Sequence, residues 1–430
     1  MTNRAPFLKS HFSGYFHREV PEEDTELTHV GPGTPCGEYL RRFWQPVCRS
    51  DELGDLPRWV KILGEELVAF RNASGAVGLL ELHCPHRGTS LEFGLIDARG
   101  IRCCYHGWLF AVDGTILETP GEPADSTLKD KLFHGAYPTH EELGIVFAYL
   151  GPPDQLPAFP AYDTFSRPGY RRVAGPIYYY PCNWLQIVEN SMDSAHTAFL
   201  HTIVSGAVFT EAFGVLPELE FAETPVGMIY IATRRVGDNI WARMVENILP
   251  NLQQVSPVWE DGAREHSFSG PMLSRWVVPV DNTNSMFIEL RHVSESDGVT
   301  PPWFAHRNAM VPGQLAADSY QEGQRRPGDY EAQVSQRPIA IHGLEHLGAT
   351  DRGVSMFRNQ LRRGIRAVQA GRDPAGLWRE HDMIIPTYCN DTVVHMPPAT
   401  TAALDQQLMR ETGRRLADSY LQDPPLVVGR

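Results

Sequence analysis

Long apolar runs are absent from this 430-residue sequence. No stretch approaches the roughly eighteen apolar residues of a transmembrane helix, so we expect no membrane span. The opening residues contain no apolar signal core with a small-residue cleavage site, which makes the cytoplasm the expected location. Basic residues are in deficit, since 38 Lys and Arg stand against 52 Asp and Glu for a net charge of −14. We therefore expect no nucleic-acid partner, because phosphate binding needs a basic surface.

Two further motifs are missing from the sequence. It contains no G-x-G-x-x-G and no flavin motif, so the chain is not expected to accept hydride itself. Its seven cysteines, an odd number in a long chain, do not resemble a disulfide framework. Only Cys84, Cys103 and Cys104 form a cluster along the sequence.

The pattern of apolar residues predicts an α+β fold. Short apolar runs alternate with glycine turns from Trp59 to His106, which is typical of a small antiparallel β-domain. A Pro-rich connector at 150–160 closes this region. A helix around 184–201 and strands at 227–235, 239–248 and 272–293 are predicted to follow, the last turning back at 281–284.

The stretch CPHRGTSLEFGLIDARGIRCCYHGW (84–108) can be written C-x-H, sixteen residues, then C-x-x-H. Gly88 and Gly107 permit sharp turns beside these residues. Two thiolates and two imidazoles suit either zinc or a [2Fe–2S] centre with mixed ligands. The spacing differs from the usual zinc pairing, and two loops that each offer one Cys and one His favour the iron–sulfur centre.

CPHRG and CCYHGW together resemble the Rieske domain of ring-hydroxylating oxygenases. The resemblance implies four cluster ligands: Cys84, His86, Cys103 and His106. Cys104 occupies a position where the family usually has proline. The Rieske proteins of respiratory complexes would need cysteines where this chain has Thr89 and Tyr105, and they carry a membrane anchor.

The stretch NWLQIVENSMDSAHTAFLH (183–201) contains D-x-x-H-x₄-H, which is similar to the mononuclear-iron motif of the same family. Two imidazoles and one carboxylate on one face of a ferrous ion leave open positions for dioxygen. His196 and His201 are the expected ligands, although residues five apart on a straight helix are rotated by about 140°. The helix must therefore end, kink or carry a π-bulge between them.

The resemblance places the carboxylate ligand sixteen residues before the Glu of an E-H-L-G, which selects Asp329, with Glu331 as its nearest rival. It gives Asp193 a catalytic role: hydrogen bonds to an iron-ligand histidine and, across a subunit boundary, to a cluster-ligand histidine. Family members work as homotrimers or stacked trimers, so electrons are expected to pass between neighbouring chains.

The resemblance also implies the domain organisation. Residues 1–37 are expected to pack on the catalytic domain as an N-terminal segment. Residues 38–155 are expected to form a small antiparallel β Rieske [2Fe–2S] domain. Residues 156–430 are expected to form the catalytic mononuclear non-heme iron domain, with a helix-covered, curved antiparallel sheet.

The likeness is greatest to the phthalate-dioxygenase-like branch. It implies a terminal oxygenase of aromatic catabolism that uses O₂ and electrons from NAD(P)H through a separate flavin/iron–sulfur reductase. The expected substrate is a small aromatic compound, an aromatic carboxylic acid that undergoes ring dihydroxylation. Two alternatives remain: an O- or N-demethylating monooxygenase, and an electron-transfer protein without catalysis.

Arg243 is a candidate ligand for a substrate carboxylate, or an ordinary strand residue. Three phenylalanines are candidate pocket walls or core residues: Phe199, Phe209 and Phe213.

Overall fold

The computed structural model describes residues 8, 10–16, 22–204, 211–257, 265–296, 300, 304–381 and 383–425. Two short helices, α1 (Thr25–Thr28) and α2 (Pro35–Leu40), precede the first sheet. Thr34 is the N-cap of α2 and its side chain accepts a hydrogen bond from the backbone N–H of Gly37 at 3.2 Å. A hydroxyl at the N-cap followed by proline at the first helical position explains why the helix begins there.

The first half of the chain consists of three antiparallel sheets. Their strands are β1 (Trp44–Arg49), β2 (Arg58–Ile62), β3 (Glu65–Arg71), β4 (Val77–Glu81), β5 (Leu95–Asp97), β6 (Gly100–Arg102), β7 (Leu109–Phe110), β8 (Ile116–Glu118), β9 (Ala136–Tyr137), β10 (Thr139–Glu142) and β11 (Ile145–Tyr149). The strand orders are β1-β11-β10, β2-β3-β4-β9 and β5-β6-β7-β8. The predicted antiparallel β-domain is confirmed.

The second half combines helices with a large antiparallel sheet. Its elements are β12 (Ala161–Tyr162), β13 (Tyr170–Tyr180), α3 (Trp184–Asn190), α4 (His196–Ala198), β14 (Glu218–Thr224), β15 (Gly227–Val236), β16 (Asn239–Ile248), β17 (Leu252–Val255), β18 (Leu273–Pro279), β19 (Ser285–Ser294), α5 (Tyr320–Arg325), α6 (Asp329–Val334), α7 (Arg352–Gln369), β20 (Ile384–Ile385), β21 (Asn390–His395) and α8 (Ala402–Gln422). The 8-stranded sheet has the order β13-β19-β18-β17-β16-β15-β14, and β21 also pairs with β16.

The sequence predicted three of these strand regions within a residue or two. The predicted turn at 281–284 separates β18 from β19, and Oδ1 of Asp281 accepts hydrogen bonds from the backbone of Thr283 and the side chain of Asn284, both at 2.9 Å. Short polar side chains that bond to nearby backbone groups favour such turns. The α+β fold class is confirmed.

Helices cover both faces of the large sheet. On one face, Nδ2 of Asn247 on β16 donates to the carbonyl of Val188 on α3 at 3.3 Å, so this face of the sheet packs against α3. On the opposite face, α8 packs closely, since a Cβ on Gly413 would lie 2.5 Å from Thr233. No helix in the described part of the chain is long and apolar enough to cross a membrane.

Backbone and side-chain contacts join the two halves. The backbone N–H groups of Leu63 and Gly64 donate to the carbonyls of Pro279 and Val280, both at 2.9 Å. Beside them, Nζ of Lys61 lies 2.8 Å from Oδ2 of Asp281. These bonds place the β2–β3 turn against the end of the β18–β19 hairpin.

Candidate metal centres

Two loops of the same backbone geometry hold the four residues of the first motif. In the loop after β4, the N–H of Cys84 donates to the carbonyl of Thr89 at 2.9 Å and the N–H of Gly88 donates back to Cys84 at 2.8 Å. In the loop after β6, Cys103 and Gly107 form the equivalent bonds, at 2.8 and 3.1 Å. Both glycines have positive φ, +75° and +74°, a conformation that side chains disfavour.

The thiols of this motif are buried, whereas its imidazoles lie nearer the surface. Cys84 and Cys103 are each only 3 % exposed, whereas Cys104 is exposed. Their imidazole partners meet nearer the surface, where the ring centroids of His86 and His106 are 4.4 Å apart. The ring of His86 also stacks on Trp108 at 4.9 Å, which limits its rotation. Buried thiols beside accessible imidazoles fit a cluster with one inner and one outer iron.

The second motif lies where a helix changes its winding. The helix expected around 184–201 is interrupted: α3 ends at Asn190, α4 covers His196–Ala198, and a π-helix follows over Phe199–Val204. A π-helical turn takes more residues than an α-helical turn, so it reduces the angle between residues five apart. The predicted break between His196 and His201 is confirmed.

Three side chains from α4, the π-helix and α6 converge. One ligand atom each of His196, His201 and Asp329 lies within 4.8 Å of the others. Oδ1 of Asp329 is 3.3 Å from Nε2 of His201 and 3.8 Å from Nε2 of His196, and neither contact has hydrogen-bond geometry. Burial would raise the pKa of the Asp329 carboxyl, but the two imidazoles and the amide of Gln314 hold it below its usual range. A carboxylate oxygen and two imidazole nitrogens facing one point fit a divalent metal ion.

Asp193 stands behind one of the imidazoles. Its Oδ2 lies 3.4 Å from Nδ1 of His196, and its Oδ1 accepts the backbone N–H of Ala195 at 2.8 Å. Burial opposes ionisation of Asp193, but His196 and the Ala195 N–H hold the pKa of the carboxyl below its usual range. The carboxylate therefore orients the ring of His196, so that Nε2 points towards Asp329.

A chain of amide and guanidinium groups supports Asp329 from the other side. Nε2 of Gln314 donates to Oδ2 of Asp329 at 2.5 Å. Arg275 donates from Nη1 to Oε1 of Gln314 at 3.0 Å and from Nε to Oε1 of Gln253 at 2.9 Å. The amide of Gln253 donates to the carbonyl of Val188 at 3.1 Å. The network therefore joins the carboxylate on α6 to α3, the helix that leads into the histidine segment.

Glu331, the other candidate carboxylate ligand, has a structural role. Oε1 of Glu331 accepts the backbone N–H of Ala317, and its Oε2 accepts that of Gly328, both at 2.9 Å. The bond from Gly328 caps the start of α6, and the bond from Ala317 ties the segment before α5 to this helix. The geometry therefore favours Asp329 over Glu331 as the third metal-facing group.

The predicted substrate residues have different surroundings. Arg243 is 4 % exposed and donates to the hydroxyl of Tyr230 and to the carbonyls of Ser256 and Pro257. Phe213 is buried, with its ring 5.9 Å from Trp241. Phe199 is 50 % exposed, and Phe209 lies outside the described residues.

Sequence comparisons agree with this arrangement. Residues 43–137 match the Rieske [2Fe-2S] domain family, and residues 148–300 match the family described as LigXa C-terminal domain like. The oxygenase subunit of tert-butanol monooxygenase / tert-amyl alcohol desaturase from Aquincola tertiaricarbonis is 41% identical, over 97% of this chain and 94% of its own. Phenoxybenzoate dioxygenase subunit alpha from Ectopseudomonas oleovorans is 37% identical, over 90% of this chain and 95% of its own.

The fold is also found among solved structures. NdmA of Pseudomonas putida CBB5, a mutant solved with theobromine, superimposes with a TM-score of 0.60 at 20% identity, over 82% of this chain and 100% of that chain. Dicamba monooxygenase superimposes with a TM-score of 0.58 at 19% identity, over 77% of this chain and 99% of its own. At these identities the likeness shows a shared fold.

The chain therefore belongs to the Rieske non-heme iron oxygenases, as an oxygenase subunit. It is a terminal oxygenase, an oxidoreductase with a Rieske [2Fe–2S] cluster and a mononuclear iron, and a separate reductase supplies its electrons. The alternative of an electron carrier without catalysis is not favoured, because the likeness to oxygenase subunits extends over nearly the whole chain.

Sequence reasoning missed the groups that support the site from a distance. Gln253, Arg275 and Gln314 lie on separate segments, and no local motif marks them. Arg234 was missed too, although its charge within a strand of apolar residues, GMIYIATRRV, is unusual enough to signal a special role.

Proposed function

We propose that this oxygenase subunit dihydroxylates the ring of a small aromatic carboxylic acid. The convergence of His196, His201 and Asp329 carries the oxygenase part of the proposal, because two imidazoles and one carboxylate form a ligand set that leaves metal positions open to dioxygen. Two relatives are named for aromatic acids: phenoxybenzoate dioxygenase, which is 37% identical to this chain, and the phthalate 4,5-dioxygenase of Pseudomonas putida, which is 32% identical. The buried basic side chains of Arg234 on β15 and Arg243 on β16 suit an acidic substrate.

The proposed roles of the site residues follow from their surroundings. Cys84 and Cys103 ligate the inner iron of the cluster, and His86 and His106 ligate the outer one. His196, His201 and Asp329 hold the mononuclear iron, which when bound supplies the site of dioxygen activation. Arg243 remains a candidate substrate residue, although three of its N–H groups already have protein acceptors.

We further propose the assembly in which these groups work. The chain forms a cyclic trimer, or stacked trimers, and Asp193 links His196 to a cluster histidine of a neighbouring subunit. The partial exposure of the Asp193 side chain, 31%, and the exposure of His86 support a contact between subunits at these residues. The N-terminal segment is assigned to 1–37, the Rieske domain to 38–155 and the catalytic domain to 156–430, in the cytoplasm.

A second candidate is monooxygenation, because the relative at 41% identity is named for tert-butanol, and a relative at 31% identity is 5,5'-dehydrodivanillate O-demethylase. Dihydroxylation and monooxygenation each consume one O₂, two electrons and two protons per turnover. They differ in the fate of oxygen, since dihydroxylation places both atoms in the product and monooxygenation releases one as water. The ligand set is the same for both reactions.

Labelled oxygen distinguishes the candidates. The purified protein is loaded with iron, and about three irons per chain are expected, against two for a cluster-only carrier. It is then supplied with ¹⁸O₂, NADH and a purified reductase from a related system. The substrates are benzoate, 3-phenoxybenzoate, a methoxybenzoate and tert-butanol. A benzoate product with two ¹⁸O atoms supports the proposal. Turnover of only the methoxy compound, to formaldehyde and an unlabelled phenol, or of only the alcohol, with one ¹⁸O in the product, would refute dihydroxylation and support the second candidate.

A further inference from the structure

Among the residues that the structure describes, Arg234 on β15 is a buried cation without an acidic partner. Its side chain is fully buried, and it forms no ion pair within the described residues. Nε donates to the carbonyl of Val215 at 2.8 Å, and Nη2 donates to the hydroxyl of Thr197 at 3.0 Å. Nη1 has no hydrogen-bond partner among the described atoms. The guanidinium therefore keeps one nitrogen without an acceptor.

The position of Arg234 connects it with the iron site. Thr197 follows the iron-facing His196 directly in the chain, and the hydroxyl of Ser194, two residues before His196, lies 3.5 Å from Nη2 of Arg234. The guanidinium thus bonds to residues on both sides of His196. A group bound to Nη1 would lie beside the segment that presents this imidazole.

The charges around Arg234 do not balance. Arg243 on the adjacent strand adds a second positive charge, and Asp391 is the acidic side chain that acts on Arg234 electrostatically. Oδ1 of Asp391 accepts the indole N–H of Trp241, and its Oδ2 lies 2.7 Å from Nε2 of His266. Among the described groups, the two guanidinium cations and the one carboxylate leave a net positive charge. Burial lowers the pKa of Arg234 to about 10, which leaves the guanidinium charged at neutral pH.

One aromatic ring lies near both cations. The guanidinium carbons of Arg234 and Arg243 are each 5.2 Å from the centroid of the Phe213 ring. The ring of Trp241 is also 5.2 Å from the Arg234 carbon, and it lies 5.9 Å from the Phe213 ring. A positive charge flanked by aromatic surface offers complementary contacts to both parts of an aromatic anion.

A buried charge is costly unless an opposite charge accompanies it. Arg243 does not offer a comparable site, because Tyr230, Ser256 and Pro257 already engage its three nitrogens. We propose that Arg234 is the specificity-determining residue that binds the carboxylate of the substrate through Nη1, beside the iron-facing histidines. This inference rests on the proposed oxygenase function and deepens it, because it names the residue that binds the carboxylate of the proposed aromatic acid.

The test measures binding separately from turnover. The full-length, iron-loaded protein is titrated calorimetrically with benzoate and with benzyl alcohol, a neutral compound of similar size. The wild type is expected to bind benzoate, and Arg234→Gln to bind it at least about tenfold more weakly. Binding of benzyl alcohol should differ little between the two proteins. Arg235→Gln is the matched control, since it removes a neighbouring charge that points to the opposite face and pairs with Asp405; its benzoate affinity should equal that of the wild type.

A structural role for Arg234 predicts a different result. If Arg234→Gln and Arg234→Lys both lower the melting temperature of the benzoate-free protein by more than about 5 °C, Arg234 stabilises the fold and the inference is overturned. We expect instead that Arg234→Lys keeps the melting temperature and part of the benzoate affinity, because it keeps the charge but not the planar donor group.

The binding experiment and the oxygenase assay test separate claims, so one claim can be wrong while the other holds. Equal benzoate affinity in the wild type and Arg234→Gln overturns the carboxylate site, even where ¹⁸O appears in product from a neutral aromatic compound. Loss of benzoate affinity in Arg234→Gln supports the site, even where the loaded wild type oxidises no compound of the panel. In that second case the proposed function fails and the anion site stands.

Discussion

The side-chain amide of Gln314 donates to Oδ2 of Asp329, which directs the other carboxylate oxygen towards the two imidazoles. Arg275 in turn fixes the amide by donating to Oε1 of Gln314, so the amide cannot turn over without losing both bonds. The orientation of the proposed iron ligand therefore depends on two residues that do not face the metal position. Such supporting groups are important for metal affinity, because they fix the ligand before the metal binds.

Gln314→Leu should weaken iron binding. The substitution removes the donor to Oδ2 of Asp329, and the loss of such a support typically costs about 10–100-fold in metal affinity. Iron retained after dialysis against graded chelator concentrations measures the effect, while the visible absorbance of the iron–sulfur cluster should stay unchanged. Gln336→Leu, on the exposed surface beyond α6, is the control. Equal iron retention in the two variants would show that Gln314 does not position the carboxylate.

Cys103→Ser should abolish the iron–sulfur absorbance, because it removes a proposed thiolate ligand of the cluster, one that is buried. Cys104→Ser should leave the absorbance nearly unchanged, because this thiol is exposed whereas Cys84 and Cys103 are buried. The visible spectrum and the acid-labile sulfide content of both variants provide the measurement. The reverse pattern would mean that the ligand register in the second loop is shifted by one residue.

Asp329→Ala should lose the mononuclear iron and all oxygenation while the cluster remains reducible by dithionite. Glu331→Ala is the matched variant, since it removes a carboxylate from the same helix. It should keep the iron and lower the melting temperature, because the bonds from Glu331 to the N–H groups of Ala317 and Gly328 are lost. Turnover by Asp329→Ala, or loss of iron only in Glu331→Ala, would transfer the ligand role to Glu331.

Asp193→Asn should retain both metal centres and the oligomeric state but transfer electrons slowly from cluster to iron. Asparagine keeps the shape of the side chain and removes the charge that orients His196. Single-turnover kinetics of the pre-reduced protein, with substrate and oxygen, report the rate of cluster oxidation. A rate equal to that of the wild type would exclude the proposed bridging role of Asp193.

Glu246→Gln should change how stability depends on pH. Glu246 is fully buried, accepts bonds from the Tyr388 N–H and the Thr224 hydroxyl, and has a pKa raised by burial to about 8. The folded state therefore keeps a proton that the unfolded chain releases above its ordinary pKa of 4.5. Stability should fall as pH rises through this window, by at most about 1.4 kcal/mol per pH unit.

The uncharged, isosteric glutamine side chain of this variant has no such proton to lose, so the melting temperature of the variant should fall less between pH 6.5 and 8 than that of the wild type. Asp163, with a pKa raised by burial to about 6, acts with the same sign, which is why the comparison starts above its pKa. Parallel curves for wild type and variant would show that Glu246 is ionised in the folded protein.

The sequence by itself determined the elements and the ligand groups that act within one segment. Two cysteines and two histidines lie in two short loops, and two histidines share one helical segment. Their spacing together with the family resemblance predicted the candidate centres, and the five-residue spacing predicted the break in the helix. The strands at 227–235 and 239–248 were predictable for a similar reason, since alternation and turn residues are local signals.

Only the tertiary structure decided how Asp329, which the resemblance had selected, reaches the histidines and which distant groups support it. The position of Asp329 against the histidines depends on how α6 packs beside α4, and its support by Gln314, Arg275 and Gln253 depends on the register of β17 and β18. The uncompensated charge of Arg234 likewise arises from what surrounds it in space. The spacing of residues along a chain limits the relative positions only of residues within one loop or a few helical turns. Contacts between strands and helices that are far apart in sequence result instead from the packing of the whole domain.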